Sequence, residues 1–256
     1  MASLSKNSWY GWRRDQPDAR DRLYAAIARP PKRLPARVDL RPWCPAVECQ
    51  GTIGSCTAHA LTANLEFLAR RAGRRLRHLS RLFVYYNARV LEGTAATDDG
   101  AMIRNGVKTL AKLGVCAETL WPYRVRRFAR KPPVRCYVRA AGHQVTSYHR
   151  IRGLAEMRQC LAEGFPFVFG LATYEGFEAA AIRHTGVLHL PRRTEQERGG
   201  HSVCAVGYDD RAARFLIRNS WGADWGRRGY FTAPYDYLAD PKLADDFWTL
   251  RAFDGV

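Results

Sequence analysis

Three short segments of this 256-residue chain carry side chains suited to covalent chemistry. Gln50-Gly51-Thr52-Ile53-Gly54-Ser55-Cys56 is a glycine-bearing loop that delivers a cysteine to the first turn of a long helical pattern. The unpaired N–H groups and the positive dipole end of a helix start stabilise a thiolate, the form of cysteine that attacks carbonyl carbon. Gly199-Gly200-His201-Ser202-Val203-Cys204-Ala205-Val206-Gly207-Tyr208 sets a histidine at the mouth of a strand of small and apolar residues. Phe215-Leu216-Ile217-Arg218-Asn219-Ser220-Trp221-Gly222 ends a strand in Asn-Ser-Trp-Gly, and a second Trp-Gly follows at Trp225. An asparagine there can accept an imidazole N–H while tryptophan keeps water off the bond. Each segment alone also has an ordinary structural reading: a buried cysteine, a capping histidine and an aromatic turn packed on a core.

Taken together, in this order, the segments resemble the papain family of cysteine peptidases. Cys56 and His201 are 145 residues apart, and His201 and Asn219 are 18 apart. The Gln50…Cys56 spacing, Gly-Ser-Cys, Gly-His followed by Ala-Val-Gly-Tyr, and Asn-Ser-Trp-Gly all match the family pattern. The match runs from Arg37-Val38-Asp39-Leu40-Arg41 to the C-terminus, roughly 85% of the chain. The resemblance implies that Cys56 is the nucleophile and His201 its imidazolium partner, oriented by Asn219. It also implies that Gln50 and the Cys56 N–H stabilise the oxyanion, and that Trp221 shields the His201–Asn219 bond. Gly100 and Ala101 fall where the family pairs with substrate backbone. Met102 and Ile103 would line the neighbouring side-chain pocket, and Gly200 would edge the cleft. Asp98 and Asp99 would favour basic substrate side chains nearby. Three places depart from the pattern: Ile53 stands where a disulfide cysteine is common, Thr57 where a bulky aromatic is usual, and Asp98-Asp99-Gly100-Ala101 where a Gly-Gly stretch is common.

The surrounding elements must bring these segments together. Cys56–Arg71 has a wide apolar surface without Pro or Gly, which predicts a central helix buried on most sides. Further helical patterns cover Leu79–Val90, Met102–Leu113 (closed by Gly114) and Leu154–Glu163 (closed by Gly164). Phe165–Thr173, Ser202–Tyr208, Phe215–Asn219, Gly229–Ala233 and Asp246–Phe253 read as strands. Helices first and antiparallel strands after make an α+β signal. With the resemblance, this becomes a two-lobed papain-like fold, with a helical lobe and an antiparallel β-barrel-like lobe flanking a cleft. A 1–36 extension precedes a 37–256 peptidase domain. Arg29–Pro35 is a Pro-rich basic spacer, and Gly11–Tyr24 mixes three Asp and four Arg around Trp12 and Tyr24. That extension resembles the short leading segment of bacterial-type members. It either packs behind the domain or crosses the cleft as an autoinhibitory strip.

Composition excludes some classes. With 46% hydrophobic residues the chain can bury a core, and no apolar run is long enough for a membrane span. No secretory h-region is visible, so a cytoplasmic location, or export without a cleaved signal, is expected. The formal net charge is +17, with 35 Arg and 6 Lys. We read it as Arg-rich composition on a solvated surface. No cofactor is expected, because no histidine cluster has metal spacing and no phosphate loop is present. Cys44/Cys49 and Cys116/Cys136 are the plausible pairs among seven cysteines, all expected to be reduced. His59, one turn into the helix, points along it and reads as structural. The expected partner is a protein or peptide substrate, with no specific nucleic acid, no membrane and a monomeric state. A thiol acyltransferase or amidase on the same scaffold, or a non-catalytic binding protein, are the alternative functions.

Overall fold

A computed structural model describes residues 10–29, 33–74 and 78–254. The first nine residues, the middle of the Pro-rich spacer (30–32) and part of the basic run (75–77) lie outside the described residues. In chain order the elements are β1 (Trp12–Arg13), β2 (Arg37–Asp39), α1 (Cys56–Arg71), α2 (Arg81–Leu91), β3 (Ala101–Met102), α3 (Ile103–Leu113), α4 (Val134–Ala140) and β4 (Val145–Arg150). They continue through α5 (Gly153–Ala162), β5 (Phe167–Tyr174), α6 (Glu175–Glu178), α7 (Ala180–Thr185), β6 (Glu197–Asp209), β7 (Arg214–Arg218), β8 (Tyr230–Pro234), α8 (Tyr235–Ala239) and β9 (Ala244–Phe253).

The expected central helix forms over the predicted span. Nearly every residue of α1 from Cys56 to Ala69 is buried, because sheet and helices cover it on different sides. Ser80 caps α2 by accepting the Phe83 N–H at 3.2 Å. Gly114 ends α3 at φ 73°, a left-handed turn that suits glycine. The α+β reading therefore holds, with one correction. Among the described residues the strands form an open seven-stranded sheet, ordered β4-β9-β5-β6-β7-β8 with β2 also on β6, and it does not close into a barrel. The strong twist of long antiparallel strands supplies the curvature that closure would otherwise give.

Register carries the site. In the β5–β6 pair Leu171 stands opposite His201, and in the β6–β7 pair Cys204 stands opposite Arg218. Asn219 follows Arg218 directly, so it emerges from β7 beside the His201 end of β6. Arg218 reaches back to the carbonyls of Pro45 and Ala46 at 2.8 and 2.6 Å, which fixes the chain leading to Gln50. Elements without apolar periodicity were not legible. β4 reads Val-Thr-Ser-Tyr-His-Arg, and only its ladder to β9 makes it a strand. β1 and β3 are two residues each and exist because they pair with each other. All seven cysteines are free thiols.

Arg89, fully buried on α2, organises the loop that leads to β3. Its guanidinium donates to the carbonyls of Ala95 (3.0 Å), Thr97 and Phe128 (2.6 Å) and stacks on Tyr85. Replacing it with Met would leave those carbonyls dry and unpaired. Arg89→Met should cost about 3 kcal/mol; urea unfolding, read as a lower midpoint at unchanged slope, checks this.

Candidate active site

Cys56, His201, Asn219 and Gln50 come together from three separate stretches of chain, Gln50 and Cys56 sharing one loop. Cys56 opens α1, and its Sγ accepts the Ser202 N–H at 3.3 Å, beside His201. His201 Nε2 lies 2.8 Å from Asn219 Oδ1. The same oxygen accepts the Ser220 N–H at 2.8 Å, so both neighbours want an acceptor there and the amide orientation is fixed. With Nε2 donating, His201 is the Nε2–H tautomer. Its buried Nδ1 has no other hydrogen-bond partner. Trp221 lies over the ring at 4.9 Å between centroids, backed by Phe177 and Trp225.

Gln50 is clamped. Its N–H donates to Ser220 O, its side-chain oxygen accepts the Ser220 hydroxyl at 2.6 Å, and Nε2 donates to Ile53 O at 2.9 Å. Tyr123 donates its hydroxyl to Gln50 O and sits 2.6 Å from Ser55 Oγ, tying this residue to the nucleophile loop. Thr57, the departure noted in the sequence, uses its hydroxyl to hold Ala101 O at 3.1 Å and so fastens α1 to β3.

The acidic pair does not serve as expected. Asp98 is consumed by the Gly54 N–H at 3.1 Å and by the Tyr85 hydroxyl, so it braces the nucleophile loop rather than facing the cleft. Asp99 is exposed and takes the Thr97 hydroxyl. Ile103 is fully buried in the core at the start of α3, while Met102 remains partly accessible. His59 is structural, as read: it bonds within its own turn to Ser55 and stacks edge-on with Tyr123. It borders a small, partly open pocket of about 20 Å³, room for about one water.

Sequence reasoning left open what residues 10–13 do, and the structure puts them in the cleft. Gly11 O accepts the Ala101 N–H at 2.7 Å, and β1 runs parallel to β3. The Gly11 N–H also favours the charged form of the Cys56 thiol. Tyr10 packs against His201 and Trp221 and donates to Glu178 at 2.6 Å. Trp12 fills a pocket floored by Gly170 and Gly200, where any Cβ would enter its ring. Its indole N–H meets Asp246 at 3.0 Å, a buried carboxylate that also accepts the Asp15 N–H. Asp246 sits on β9 at φ 59°, an uncommon conformation for a residue other than glycine. Only the aromatic and acidic richness of Gly11–Tyr24 hinted at this segment. Asp246 carried no sequence signal at all.

Covering the cleft changes its electrostatics. Cys56 and His201 are both 0% exposed. Burial pushes the thiol up to about 11, against the pull of the Ser202, Gly11 and Thr57 N–H groups. Burial likewise pushes His201 down to about 4, with Asn219 opposing. Desolvation beneath the segment therefore works against the expected thiolate–imidazolium pair.

Comparisons with known proteins agree with this geometry. The family model for papain family cysteine proteases matches residues 34–239. A peptidase C1-like protein of Acanthamoeba polyphaga mimivirus is 37% identical over 278 aligned residues, covering 98% of this chain and 88% of that protein. Cysteine proteinase 3 of Entamoeba histolytica is 26% identical, covering 86% of this chain and 68% of that protein. Among solved structures, xylellain, a cysteine protease from Xylella fastidiosa, superposes with a TM-score of 0.88 at 40% identity, covering 98% of this chain and 99% of that one. Procathepsin B of Trypanosoma congolense shares the fold at a TM-score of 0.75 and 14% identity, over 96% of this chain and 88% of that one.

A raised thiol loses its proton only in alkaline solution, so iodoacetamide labelling of Cys56 should climb steadily as pH rises toward about 11. At neutral pH, a Gly11→Val chain that cannot seat the segment should label at least about tenfold faster. Peptide mass mapping at Cys56 reads both rates, and equal rates in the two chains would defeat the burial account.

Proposed function

The chain belongs to the papain family of cysteine proteases, and we propose that Cys56, His201, Asn219 and Gln50 carry its endopeptidase chemistry. His201 Nδ1 takes the Cys56 thiol proton as the sulfur attacks the scissile carbonyl, and the carbon–nitrogen bond breaks as that proton passes from Nδ1 to the leaving amine. Water then hydrolyses the thioester, with His201 taking a proton from the water and the carboxylic acid product leaving. Asn219 holds His201 in the Nε2–H tautomer, which reserves Nδ1 for the sulfur. Gln50, immobilised by Ser220 and Ile53, and the Cys56 N–H meet the oxyanion as charge develops. The observation that carries this assignment is the 2.8 Å His201–Asn219 bond, under Trp221 and one residue from the N–H that touches Cys56.

We further propose that residues 10–13 hold the enzyme in a self-inhibited state. Two features support this reading. The segment pairs with Ala101, the backbone position a substrate would use, and it presents Cys56 with an N–H donor while its Gly11 carbonyl is turned to Ala101. It therefore fills the cleft without offering an electrophile. Gly100, Ala101, Gly200, Met102 and Trp221 would border substrate once it leaves, with Ile103 packed behind. The pocket vacated by Trp12 would expose Asp246, favouring a substrate side chain that carries an N–H donor. Full-length coverage of the Xylella fastidiosa enzyme supports reading residues 1–36 as the short leading segment of bacterial-type members.

Removing the whole segment is a poor test, because Asp21 pairs with Arg104 at 2.6 Å and Asp15 takes the Trp248 indole N–H at 2.9 Å inside the body. Gly11→Val is cleaner, since any Cβ there runs into the Gly54 carbonyl. Peptidase activity on a fluorogenic peptide should rise at least about tenfold in this variant; unchanged activity would exclude self-inhibition by the segment. In that open background Gln50→Ala should lower kcat by about 10²-fold with little change in KM. An equal loss in KM alone would instead mark Gln50 as a binding residue.

A further inference from the structure

The charge left unassigned by the sequence has a local concentration. Residues 124–139 hold seven Arg and Lys and no Asp or Glu. Several arginines elsewhere are paired with carboxylates: Arg104 with Asp21, Arg150 with Asp246, Arg158 with Asp210. Within 124–139 none of the seven makes an ion pair among the described residues, and six are exposed. The exception to full exposure, Arg127, lies over the Trp121 ring.

Helix α4 gives this stretch an apolar component. Its inner face, Cys136 and Ala140, is buried, and Tyr137 bonds Asn87 on α2 at 3.0 Å. The outer face carries Val134 and Val138, 77% and 68% exposed, alternating with exposed Arg135 and Arg139. Positions i and i+4 of a helix lie above one another, so the two valines form one ridge beside a parallel row of Arg135 and Arg139. Val90 and Leu91, at the end of the same α2 that bonds Tyr137, are also exposed. A merely solvated surface has no use for valines standing clear of the body. Nucleic acid would instead ask for exposed aromatic or amide side chains among the cations, and the aromatic rings here, Phe128 and Tyr137, are packed inward against the core.

We propose that the 124–139 surface docks on an anionic lipid bilayer, with its cations at the headgroups and Val134 and Val138 entering the headgroup–acyl boundary. Charge complementarity and an apolar ridge act together in such binding. The site is separate from the proposed catalytic residues. It departs from the sequence expectation of no membrane partner, and it requires no membrane-spanning helix, of which there is none among the described residues.

The test is co-sedimentation of the full chain with vesicles of phosphatidylcholine alone and of phosphatidylcholine mixed with phosphatidylserine. Binding should occur on the mixed vesicles only and weaken as salt is raised. Arg135→Glu/Arg139→Glu should reduce it at least about tenfold, and Val134→Ser/Val138→Ser about fivefold at unchanged charge. Arg192→Glu/Arg193→Glu, the same charge change on another exposed stretch, should leave binding within about twofold. Circular dichroism and labelling of Cys56 confirm that each variant is folded. No binding to mixed vesicles overturns the proposal, as does an equal loss in the Arg192/Arg193 control, which would mean diffuse attraction to the whole cationic chain. Loss of binding to an oligonucleotide in the Arg135/Arg139 variant, with vesicle binding indifferent to the valines, also overturns it and marks a nucleic-acid surface.

Discussion

Three glycine backbones meet around the thiol with no side chain between them: Gly11 of the leading segment, Gly54 of the nucleophile loop and Gly100 of the turn before β3. Gly100 adopts φ 73°, which L side chains rarely reach, and a Cβ on Gly11 or Gly100 would strike the backbone opposite. The contact sets the depth at which the segment lies. At that depth Gly11 accepts the Ala101 N–H while its own N–H favours the charged form of Cys56. Tyr10 and Trp12 then fall to opposite sides of the thiol, one against His201 and one above Asp246. The desolvation of Cys56 and His201 follows from the same closeness, since water has no route to either.

A charged network holds the rest of the segment. Arg150 meets Asp15, Asp21 and Asp246, and Arg104 meets Asp21, all largely buried. Burial raises Asp15 and Asp246, and the Asp15 carboxylate raises Asp246 further. Such groups contribute little net stability once desolvation is counted, but they permit few alternative arrangements. The network therefore fixes where the segment lies more than how strongly the protein folds. The direct partners of Trp12 and Trp248, which donate indole N–H groups to Asp246 and Asp15, extend the same constraint into the cleft.

What the sequence disclosed follows physical lines. α1 was legible because its apolar run is long and uninterrupted, and its bounds match. His201 and Asn219 were legible through residue types at set spacing, which survive without knowledge of the strands between them. The cleft-crossing segment was only half legible, because a strand of two residues has no periodicity and its partner is fixed by tertiary packing. Asp98 was misjudged for a related reason. Its place in the chain suggested the cleft, but the Gly54 N–H and the Tyr85 hydroxyl lie nearer and take it. The open sheet differs from the expected barrel because strand count and order do not reveal whether the two edges meet.

The covering segment is part of the same polypeptide, and this gives it a property no separate ligand of the cleft has. A tethered group faces its site at an effective concentration in the millimolar range, whatever the amount of protein in solution. Dilution cannot release it, and neither can a modest excess of a weak peptide. A single cut in the chain between Arg13 and the Asp15–Tyr24 anchor would change that at once. The stretch up to Arg13 would become a separate peptide, held by the hydrogen bonds of Tyr10, Gly11 and Trp12 and by the burial of the Trp12 ring, and free to diffuse away.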